Sequence, residues 1–388
     1  MADTIEIHGH CDPRFTGVRD VFAAAFERGD ELGASVCVTL EGESVVDLHA
    51  GFRDEARTEP WQRDSLVNVF STTKGMTALC ALRLVEEGRL DLDAPVAQYW
   101  PEFEAAGKAE LPVRFLLSHR AGLVAVRKPL AAGSLYDWEV MTRALAEQEP
   151  WWTPGDGHGY HALTFGFLVG EVVRRISGKS LGTVFREELA EPLGLDFHIG
   201  LPEECEPRVS PLVQAPPPED AGPDLFELIL QDPESMLAKA FINPPLLPTD
   251  ANTRAWRAAE IPAANGHGTA SALARVYAAL SLGGDLDGVH VLSPEVIDMA
   301  RTEQSLGQDR ILPLVSRFGL GFQVPPAEEP TGPNFRVFGH AGAGGSYGQA
   351  DPENRMSFGY TMNLMQSGVW LVDPRPRALL QAVYAALD

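Results

Sequence analysis

Cationic side chains are scarce in this chain of 388 residues: 31 lysines and arginines stand against 54 aspartates and glutamates, for a net charge of −23. An acidic surface repels nucleic-acid phosphates and anionic lipid headgroups, so nucleic-acid and peripheral membrane binding are disfavoured. Long apolar runs are absent too, since none reaches the ~18 residues of a membrane-spanning helix. The opening MADTIEIHGHCD lacks the basic and apolar segments of an export signal. We therefore expect a cytoplasmic protein.

Cysteine is also rare, with four in the chain and no C-x-x-C pair, which argues against a zinc ribbon or a disulfide scaffold. Cys37 and Cys80 lie in apolar stretches, which predicts small core residues. Histidine pairs indicate no metal site either. Residues 8–10 (HGH) belong to an N-terminal segment that we expect to be frayed, and His158-x-x-His161 lacks the glutamate of H-E-x-x-H. The sequence predicts neither a metal nor a cofactor.

The composition, with 45% apolar and 22% charged residues, is that of a globular protein with a sizeable core. Helical periodicity and β-rich runs follow each other in blocks. Helices are predicted over 14–28, 71–87, 136–149, 163–176, 181–190, 269–282 and 377–387, and strands over 34–40, 44–49, 67–70, 319–324, 336–339 and 356–363. Because strands and helices do not alternate, a doubly wound parallel sheet is excluded. We predict an α+β fold, with an antiparallel sheet flanked by helices and an inserted, mainly helical region.

The first candidate for chemistry is Ser71-Thr72-Thr73-Lys74, at the start of the long apolar helix predicted over 71–87. A serine alcohol is a poor nucleophile until a base takes its proton. Serine and lysine at i and i+3 share a helix face, so Lys74 can reach the hydroxyl of Ser71. Burial would lower the pKa of Lys74, because desolvation penalises its charged form. The other interpretation of this common tetrapeptide is a capping serine and a surface lysine.

A second serine lies in Gly344–Gly348, which matches G-x-S-x-G. A nucleophile elbow needs a strand, a tight turn and a helix, with a histidine later in the chain. Here a turn and a β-like run follow Ser346, and the last histidine of the chain is His340. We therefore interpret the match as a glycine-rich β-turn and do not assign Ser346 as a nucleophile.

A glycine-rich loop, Gly155–Ala162, leads into the helix predicted over 163–176 and carries Tyr160. A tyrosine phenol can act as a general base or acid where nearby cations lower its pKa. Taken alone, Tyr160 could equally be an anchor of the loop.

These motifs occur in an order that resembles the serine β-lactamase and penicillin-binding-protein superfamily, with the class C-like family VIII carboxylesterases as the nearest branch. The resemblance extends over roughly residues 15–385, and ordered matches are more specific than any single motif. The matching segments are Ser71–Lys74, Leu116–Leu123, Pro154–Tyr160, Ser177–Ser180, Glu191–Gly194, Gly266–Ala270, Leu273–Arg275, Gly319–Phe322 and Phe338–Gly342.

The resemblance implies a role for each matching residue. Ser71 corresponds to the acylated nucleophile and Lys74 to the lysine that shares its proton. Tyr160 corresponds to the tyrosine that helps to activate the serine and protonates the leaving group. The backbone N–H groups of Ser71 and Ala343 would form the oxyanion hole, which commonly supplies several kcal/mol of barrier lowering.

Two departures from the penicillin-type pattern bear on the substrate. Tyr160-His161-Ala162 stands where the family has Y-x-N, and His340-Ala341-Gly342 stands where it has K-T-G. Both changes remove polar groups that recognise a β-lactam or a peptide C-terminus, so they favour neutral esters. The candidates for substrate binding are His340, Gly342, His161 and Trp152. For Trp152, packing between the two domains is an equally good interpretation.

The resemblance implies a discontinuous sheet domain, residues 1–112 and 255–388, and an inserted helical domain, residues 113–254, with the site in the cleft between them. The expected activity is that of a serine carboxylesterase, which hydrolyses small, short-chain acyl esters through a Ser71 acyl-enzyme. The expected partner is thus a small-molecule ester, with no nucleic acid and no membrane. Alternatives within the fold are a β-lactamase, a D-amino-peptidase-type hydrolase, and an amide hydrolase or acyltransferase. A non-catalytic scaffold is the alternative outside enzymology.

Overall fold

A computed structural model describes residues 5–216, 225–247, 249–368 and 371–387 of the chain. Its β-strands are His8–Cys11 (β1), Gly33–Leu40 (β2), Glu43–Gly51 (β3), Val67–Asn68 (β4), Phe197–His198 (β5), Val213–Gln214 (β6), His267–Gly268 (β7), Asp285–Leu286 (β8), Val289–His290 (β9), Ser305–Gln308 (β10), Val315–Phe318 (β11), Phe338–Ala341 (β12), Tyr347–Asp351 (β13), Met356–Met362 (β14) and Leu364–Met365 (β15).

The α-helices of the described residues are Thr16–Arg28 (α1), Thr73–Glu86 (α2), Val113–Leu117 (α3), Trp138–Glu147 (α4), Thr164–Ser177 (α5), Leu181–Phe185 (α6), Glu191–Leu193 (α7), Leu225–Gln231 (α8), Met236–Ile242 (α9), Arg254–Ala258 (α10), Ala270–Ser281 (α11), Pro294–Arg301 (α12) and Pro374–Leu387 (α13). A π-helical turn, Arg186–Ala190, connects α6 to α7.

The main sheet lies between two helical layers. Its strand order is β1–β3–β2–β14–β13–β12, and each neighbouring pair is antiparallel. Side chains alternate between the two faces of a strand. Val36 and Val38 of β2 therefore pack in the core with α1 and α13, whereas Cys37 packs against Ala270 and Ala274 of α11. The prediction of an antiparallel sheet flanked by helices is confirmed.

Helix α2 runs through the largest core cluster and is buried on nearly every side, as its continuous apolar sequence predicts. It packs against α5 and α12. The helix proper begins at Thr73, so Ser71 lies in the turn before it. Cys37 and Cys80 are both buried, which confirms that they are core residues.

The segment between α2 and α11 is mainly helical. A small antiparallel sheet, β4–β7–β5, joins this segment to the strand that leads to Ser71. The exact limits of the domains, 1–112 with 255–388 and 113–254, stay a prediction.

Three local predictions need correction or fall outside the structure. Residues 319–324 are mostly bends, with two isolated bridges at Gln323, and the strand lies just before them at Val315–Phe318. Residues 8–10 are not frayed, because β1 pairs with β3 from His8 to Cys11. The proline-rich sequence of residues 202–223 predicts an irregular stretch, of which residues 217–223 lie outside the described residues. In the described part of the chain, no helix has the length and apolar character needed to cross a bilayer.

Candidate active site

Ser71 lies where strand β4 passes into helix α2. Val69 donates its N–H to the carbonyl of Gly266 (2.8 Å), which ties this segment to β7. The next residue, Phe70, has φ 41°, in the left-handed region that bulky side chains avoid. Such backbone strain clusters at functional sites because the surrounding structure has to enforce it. The strained turn places the half-buried Ser71 directly ahead of the first helical turn, one turn from Lys74.

Lys74 is fully buried, and its Nζ has three hydrogen-bond partners. Two are carbonyl oxygens, of Ala162 (2.8 Å) and Ala263 (2.9 Å), and the third is Ser71 Oγ (3.1 Å). Burial holds the pKa of Lys74 well below its usual value. A neutral amine has two N–H donors and one lone pair. Carbonyl oxygens can only accept, so the two carbonyls take both donors and leave the lone pair facing the hydroxyl of Ser71.

Tyr160 completes the predicted catalytic set. Its side chain is 6% exposed, and Lys74 Nζ lies 4.7 Å from the centre of its ring. Burial raises the pKa of the phenol above its ordinary value, and a hydrogen bond to Ser71 partly opposes this. The phenol is therefore protonated at neutral pH. The structure brings Ser71, Lys74 and Tyr160 together although the last is distant from the others in sequence.

His161 is buried, with both ring nitrogens occupied. Its Nδ1–H donates to the carbonyl of Gly159 (2.7 Å), and its Nε2 accepts the N–H of Leu123 (3.1 Å). The backbone N–H of His161 donates to His119 Nδ1 (3.1 Å). Burial lowers the pKa of His161 to about 3, so the ring is neutral. No ring nitrogen remains for a substrate, and in this structure His161 supports the loop that carries Tyr160.

His340, which stands where the penicillin-type pattern has the lysine of K-T-G, has a different environment from His161. Its Nδ1–H donates to the carbonyl of Ala341 (2.7 Å), which makes Nε2 the unprotonated nitrogen. This Nε2 is buried without a hydrogen-bond partner among the described residues. The ring centre lies 6.3 Å from that of Tyr160. Burial and the nearby Lys74 lower the pKa of His340 to about 3, so it is a neutral acceptor next to the catalytic set.

Gly342 and Ala343 follow on the edge of the main sheet. A Cβ atom at Gly342 would overlap the Val69 carbonyl and Ser346 Oγ, so only glycine fits this contact between the end of strand β12 and the loop Val69–Thr72, which carries Ser71. Ala343 begins a short 3-10 turn, Ala343–Gly345. Among the described residues, neither the N–H of Ser71 nor that of Ala343 donates to a backbone carbonyl.

An apolar wall lies beside Tyr160. Trp152 contacts the loop at Gly159, and the guanidinium of Arg310 stacks on its indole at 4.9 Å. Helix α9 packs in the same cluster. The apolar members of this cluster are Val124, Ala125, Tyr160, Ala162, Ala240, Ile311 and Phe318, with Trp151, Trp152, Met236, Leu237, Phe241 and Leu312 at its edge.

The sequence profile of the β-lactamase family matches residues 18–382. The chain belongs to the β-lactamase family. Among its relatives is a protein of Mycobacterium tuberculosis named esterase/beta-lactamase LipL, 38% identical over 377 residues, which cover 95% of this chain and 85% of the relative.

Two solved structures resemble this β-lactamase-family chain closely. A family VIII carboxylesterase is 43% identical, with a TM-score of 0.90 over 98% of this chain and 100% of the other. A penicillin-binding protein homologue from Caulobacter crescentus is 41% identical, with a TM-score of 0.89 over 98% and 100% of the two chains. The resemblance inferred from the ordered motifs is thereby confirmed.

Asp309 is a residue of this β-lactamase-family site that sequence reasoning missed. Its buried carboxylate accepts the N–H of Tyr160 through Oδ1 (3.0 Å). The same oxygen accepts the N–H groups of Ile311 (2.8 Å) and Leu312 (3.0 Å). No motif marks Asp309, and 149 residues separate it from Tyr160. Its only local signal is an aspartate before a turn, which is common.

The other carboxylate oxygen of Asp309 extends the network. Oδ2 accepts the hydroxyl of Ser316 (2.7 Å), whose oxygen lies 2.8 Å from His158 Nε2. His158 therefore has a hydrogen-bonded role in the Tyr160 loop. In the described part of the chain, no group of three or more His, Cys, Asp or Glu side chains is arranged to hold a metal ion.

Proposed function

We propose that this protein is a serine carboxylesterase that hydrolyses small, short-chain acyl esters through a covalent acyl-enzyme on Ser71. The relatives include esterases and β-lactamase-family proteins, and the chain is a serine hydrolase of the carboxylesterase type. One observation carries the choice of nucleophile. Lys74 Nζ lies 3.1 Å from Ser71 Oγ, and in the neutral amine the two backbone carbonyls occupy both N–H donors, so the lone pair is left to accept the proton of Ser71.

In the acylation step, the Ser71 oxygen attacks the ester carbonyl while the Lys74 amine takes the hydroxyl proton. The N–H groups of Ser71 and Ala343 stabilise the resulting oxyanion. When the carbon–oxygen bond to the alcohol breaks, Tyr160 donates its phenolic proton to the leaving oxygen. The ammonium of Lys74 returns a proton to Tyr160, so both groups end in their starting states.

Deacylation reverses these roles with water as the nucleophile. A water molecule attacks the acyl carbonyl and gives its proton to the neutral Lys74 and Tyr160 pair, and the bond from Ser71 to the acyl carbon breaks. Ser71 recovers its proton and the carboxylic acid leaves. Each step moves one proton between groups that lie in contact around Lys74, so the cycle needs no other reactant than ester and water.

The surroundings of the catalytic set favour a neutral substrate. His340 offers an uncharged acceptor where the penicillin pattern has a lysine, and Ala162 offers no amide side chain. The apolar wall with Trp152 supplies surface for an acyl or alkyl group. We propose His340, Gly342 and Trp152 as substrate contacts. His161 is left out because the loop uses both of its nitrogens.

The test is intact-protein mass spectrometry after mixing with p-nitrophenyl butyrate, with release of p-nitrophenol followed in parallel. The wild type should gain a butyryl group and turn over, and Ser71→Ala should do neither. Ser357→Ala is the control, because it removes a buried serine hydroxyl from strand β14 of the main sheet and leaves Ser71 in place. Butyrylation that persists in folded Ser71→Ala would refute the assignment.

A second activity, β-lactam hydrolysis, is favoured by one specific observation: the relative from Mycobacterium tuberculosis carries both esterase and β-lactamase in its name. Ser71 could be acylated by a β-lactam through the same steps. With Ala162 and His340 in place of the amide and the lysine, recognition of the acylamino and carboxylate groups is weakened. We expect kcat/KM for nitrocefin to lie far below that for p-nitrophenyl butyrate, and the reverse order would make β-lactams the preferred substrates.

A further inference from the structure

The two N–H groups of the proposed oxyanion hole come from segments far apart in the chain. Ser71 lies in the nucleophile loop, and Ala343 lies in the turn between strands β12 and β13. Both donors have to lie about 2.7–3.1 Å from the same developing oxyanion, so the distance between the two segments bears directly on the rate. The contacts that hold the turn 342–346 against the loop that carries Ser71 therefore matter for catalysis.

Ser346, at the end of the turn 342–346, connects this turn to the loop that carries Ser71. Its Oγ–H donates to the carbonyl of Val69 (2.7 Å), two residues before Ser71. Its oxygen also lies 3.1 Å from the hydroxyl of Thr72, the residue after Ser71. Because the Ser346 proton goes to a carbonyl, this second contact relies on the single proton of Thr72, which Thr72 shares between Ser346 Oγ and the backbone carbonyl of Ser346. Ser346 thus contacts Val69, which precedes Ser71 in the chain, and Thr72, which follows it.

Thr72 makes a second contact between the loop that carries Ser71 and the turn 342–346. Its hydroxyl also lies 3.3 Å from the backbone carbonyl of Ser346, and both side chains are buried. The same carbonyl accepts the N–H of Gly342 (2.8 Å), which closes the turn around Ala343. A buried hydroxyl that loses its partner leaves polar groups unsatisfied, so this pair resists separation.

We propose that Ser346 and Thr72 are positioning residues that join the turn 342–346 to the nucleophile loop and set the distance between the two oxyanion N–H groups. The inference rests on the proposed function. It also accounts for the G-x-S-x-G match: Ser346 does not face a base, since its proton goes to the Val69 carbonyl, and it acts on the reaction through Ser71 and Ala343.

The test compares Ser346→Ala with Ser357→Ala. Ser357 is a matched control, because its hydroxyl has the same two kinds of partner, Thr39 Oγ1 (2.6 Å) and the carbonyl of Ala274 (2.7 Å), without touching the site. Both variants should lower the melting temperature to a similar extent. With p-nitrophenyl butyrate, Ser346→Ala should lower kcat and kcat/KM equally, by about 10- to 100-fold, because an interaction of the transition state alone is weakened. Ser357→Ala should leave both constants unchanged.

A transition-state analogue gives the readout that a purely structural role would not change. Butylboronic acid forms a tetrahedral adduct on a serine, and its affinity should fall in Ser346→Ala by the same factor as kcat/KM. Thr72→Val should show the same losses and Thr72→Ser should recover them. The double variant Thr72→Val/Ser346→Ala should lose little more than one single variant, because both act on one contact.

Two results would overturn the proposal: equal kcat values in Ser346→Ala and Ser357→Ala, or weakened boronate binding by Ser357→Ala to the same degree. Thr72→Val keeps the test decisive if Ser346→Ala does not fold. Failure of the proposed function gives a different result, since then Ser71→Ala would retain butyrylation whatever the state of Ser346.

Discussion

Lys74 Nζ lies 3.1 Å from Ser71 Oγ, in a position where Ala162 and Ala263 already accept its other hydrogen bonds. This arrangement fits the neutral amine, because a neutral amine has two donors and one acceptor site. An ammonium would have to donate to Ser71 as well, and burial disfavours that charged form. Burial therefore selects the neutral amine, whose remaining lone pair then lies next to Ser71 Oγ, and this supports the proposed role of Lys74 as base.

The first prediction concerns the pH profile of kcat/KM. Because the pKa of Lys74 is lowered in the folded protein, the active neutral form accumulates as pH rises through that lowered pKa. Activity with p-nitrophenyl butyrate should rise from acidic pH and level off well below the ordinary pKa of lysine, about 10.4. Lys74→Arg should be inactive, since a guanidinium stays charged. Wild-type activity in Lys74→Arg would contradict this assignment.

The second prediction concerns Tyr160→Phe and the leaving group. The raised pKa of the phenol makes it a proton donor, and p-nitrophenolate can leave without a proton whereas ethoxide cannot. We expect kcat for ethyl butyrate to fall by about 100- to 10,000-fold and kcat for p-nitrophenyl butyrate to fall less. The comparison of two esters in one variant controls for misfolding. Equal losses for both esters would assign Tyr160 a role before departure of the alcohol.

The third prediction concerns Asp309. Asp309→Ala leaves three backbone N–H groups, including that of Tyr160, and the hydroxyl of Ser316 without their acceptor. We expect the free energy of unfolding to fall by about 2–4 kcal/mol, together with a loss of kcat. Asp298→Ala, at an exposed ion pair with Arg301, is the control and should change stability by less than about 1 kcal/mol. Denaturant unfolding measures both, and similar losses would contradict the role of Asp309.

The fourth prediction concerns the buried cluster of Glu31, Arg375, Asp373 and Tyr360. Burial raises the pKa of Glu31 to about 7, and the attraction of Arg375 opposes this only in part. The folded state then binds the proton of Glu31 more tightly than the unfolded state does. Its stabilising contribution is present at pH values below the ordinary glutamate pKa and is lost as pH rises through about 7.

The expected size of this effect is about 3 kcal/mol in the free energy of unfolding. Urea unfolding of the wild type and of Glu31→Gln at pH 4.5 to 7.5 should show that the difference between their free energies of unfolding decreases as pH rises, because glutamine does not titrate. The buried neutral histidines His161 and His340 change stability in the opposite direction, but equally in both proteins. An equally steep pH dependence in Glu31→Gln would assign the effect to another group.

Several features of the site followed from local sequence. The pair Ser71 and Lys74 was predictable because residues three apart across a helical turn are neighbours, and this holds although Ser71 lies in the turn that leads into α2. The buried helix α2 was predictable because it is apolar on every face. Tyr160 and the turn at Ala343 became candidates through the order of motifs along the chain, which no single periodicity supplies.

The contacts of Asp309, Ser346 and His161 could not be predicted in this way. Asp309 reaches Tyr160 across 149 residues, and Ser346 reaches Val69 across 277. The prediction of a strand at 319–324 is wrong for a related reason. Its apolar residues are buried by contacts with distant helices such as α2 and α5, and not by a strand ladder.

The sequence by itself determined which surfaces each helix and strand must bury and which residues stand one helical turn apart, because these depend on 3.6- and 2-residue periodicity alone. Only the tertiary structure decided which carbonyls surround Lys74, which carboxylate accepts the N–H of Tyr160, and which hydroxyl contacts the residues on both sides of Ser71. Those pairings depend on how separate segments pack in space, and a buried polar group finds its partner wherever the packing places one.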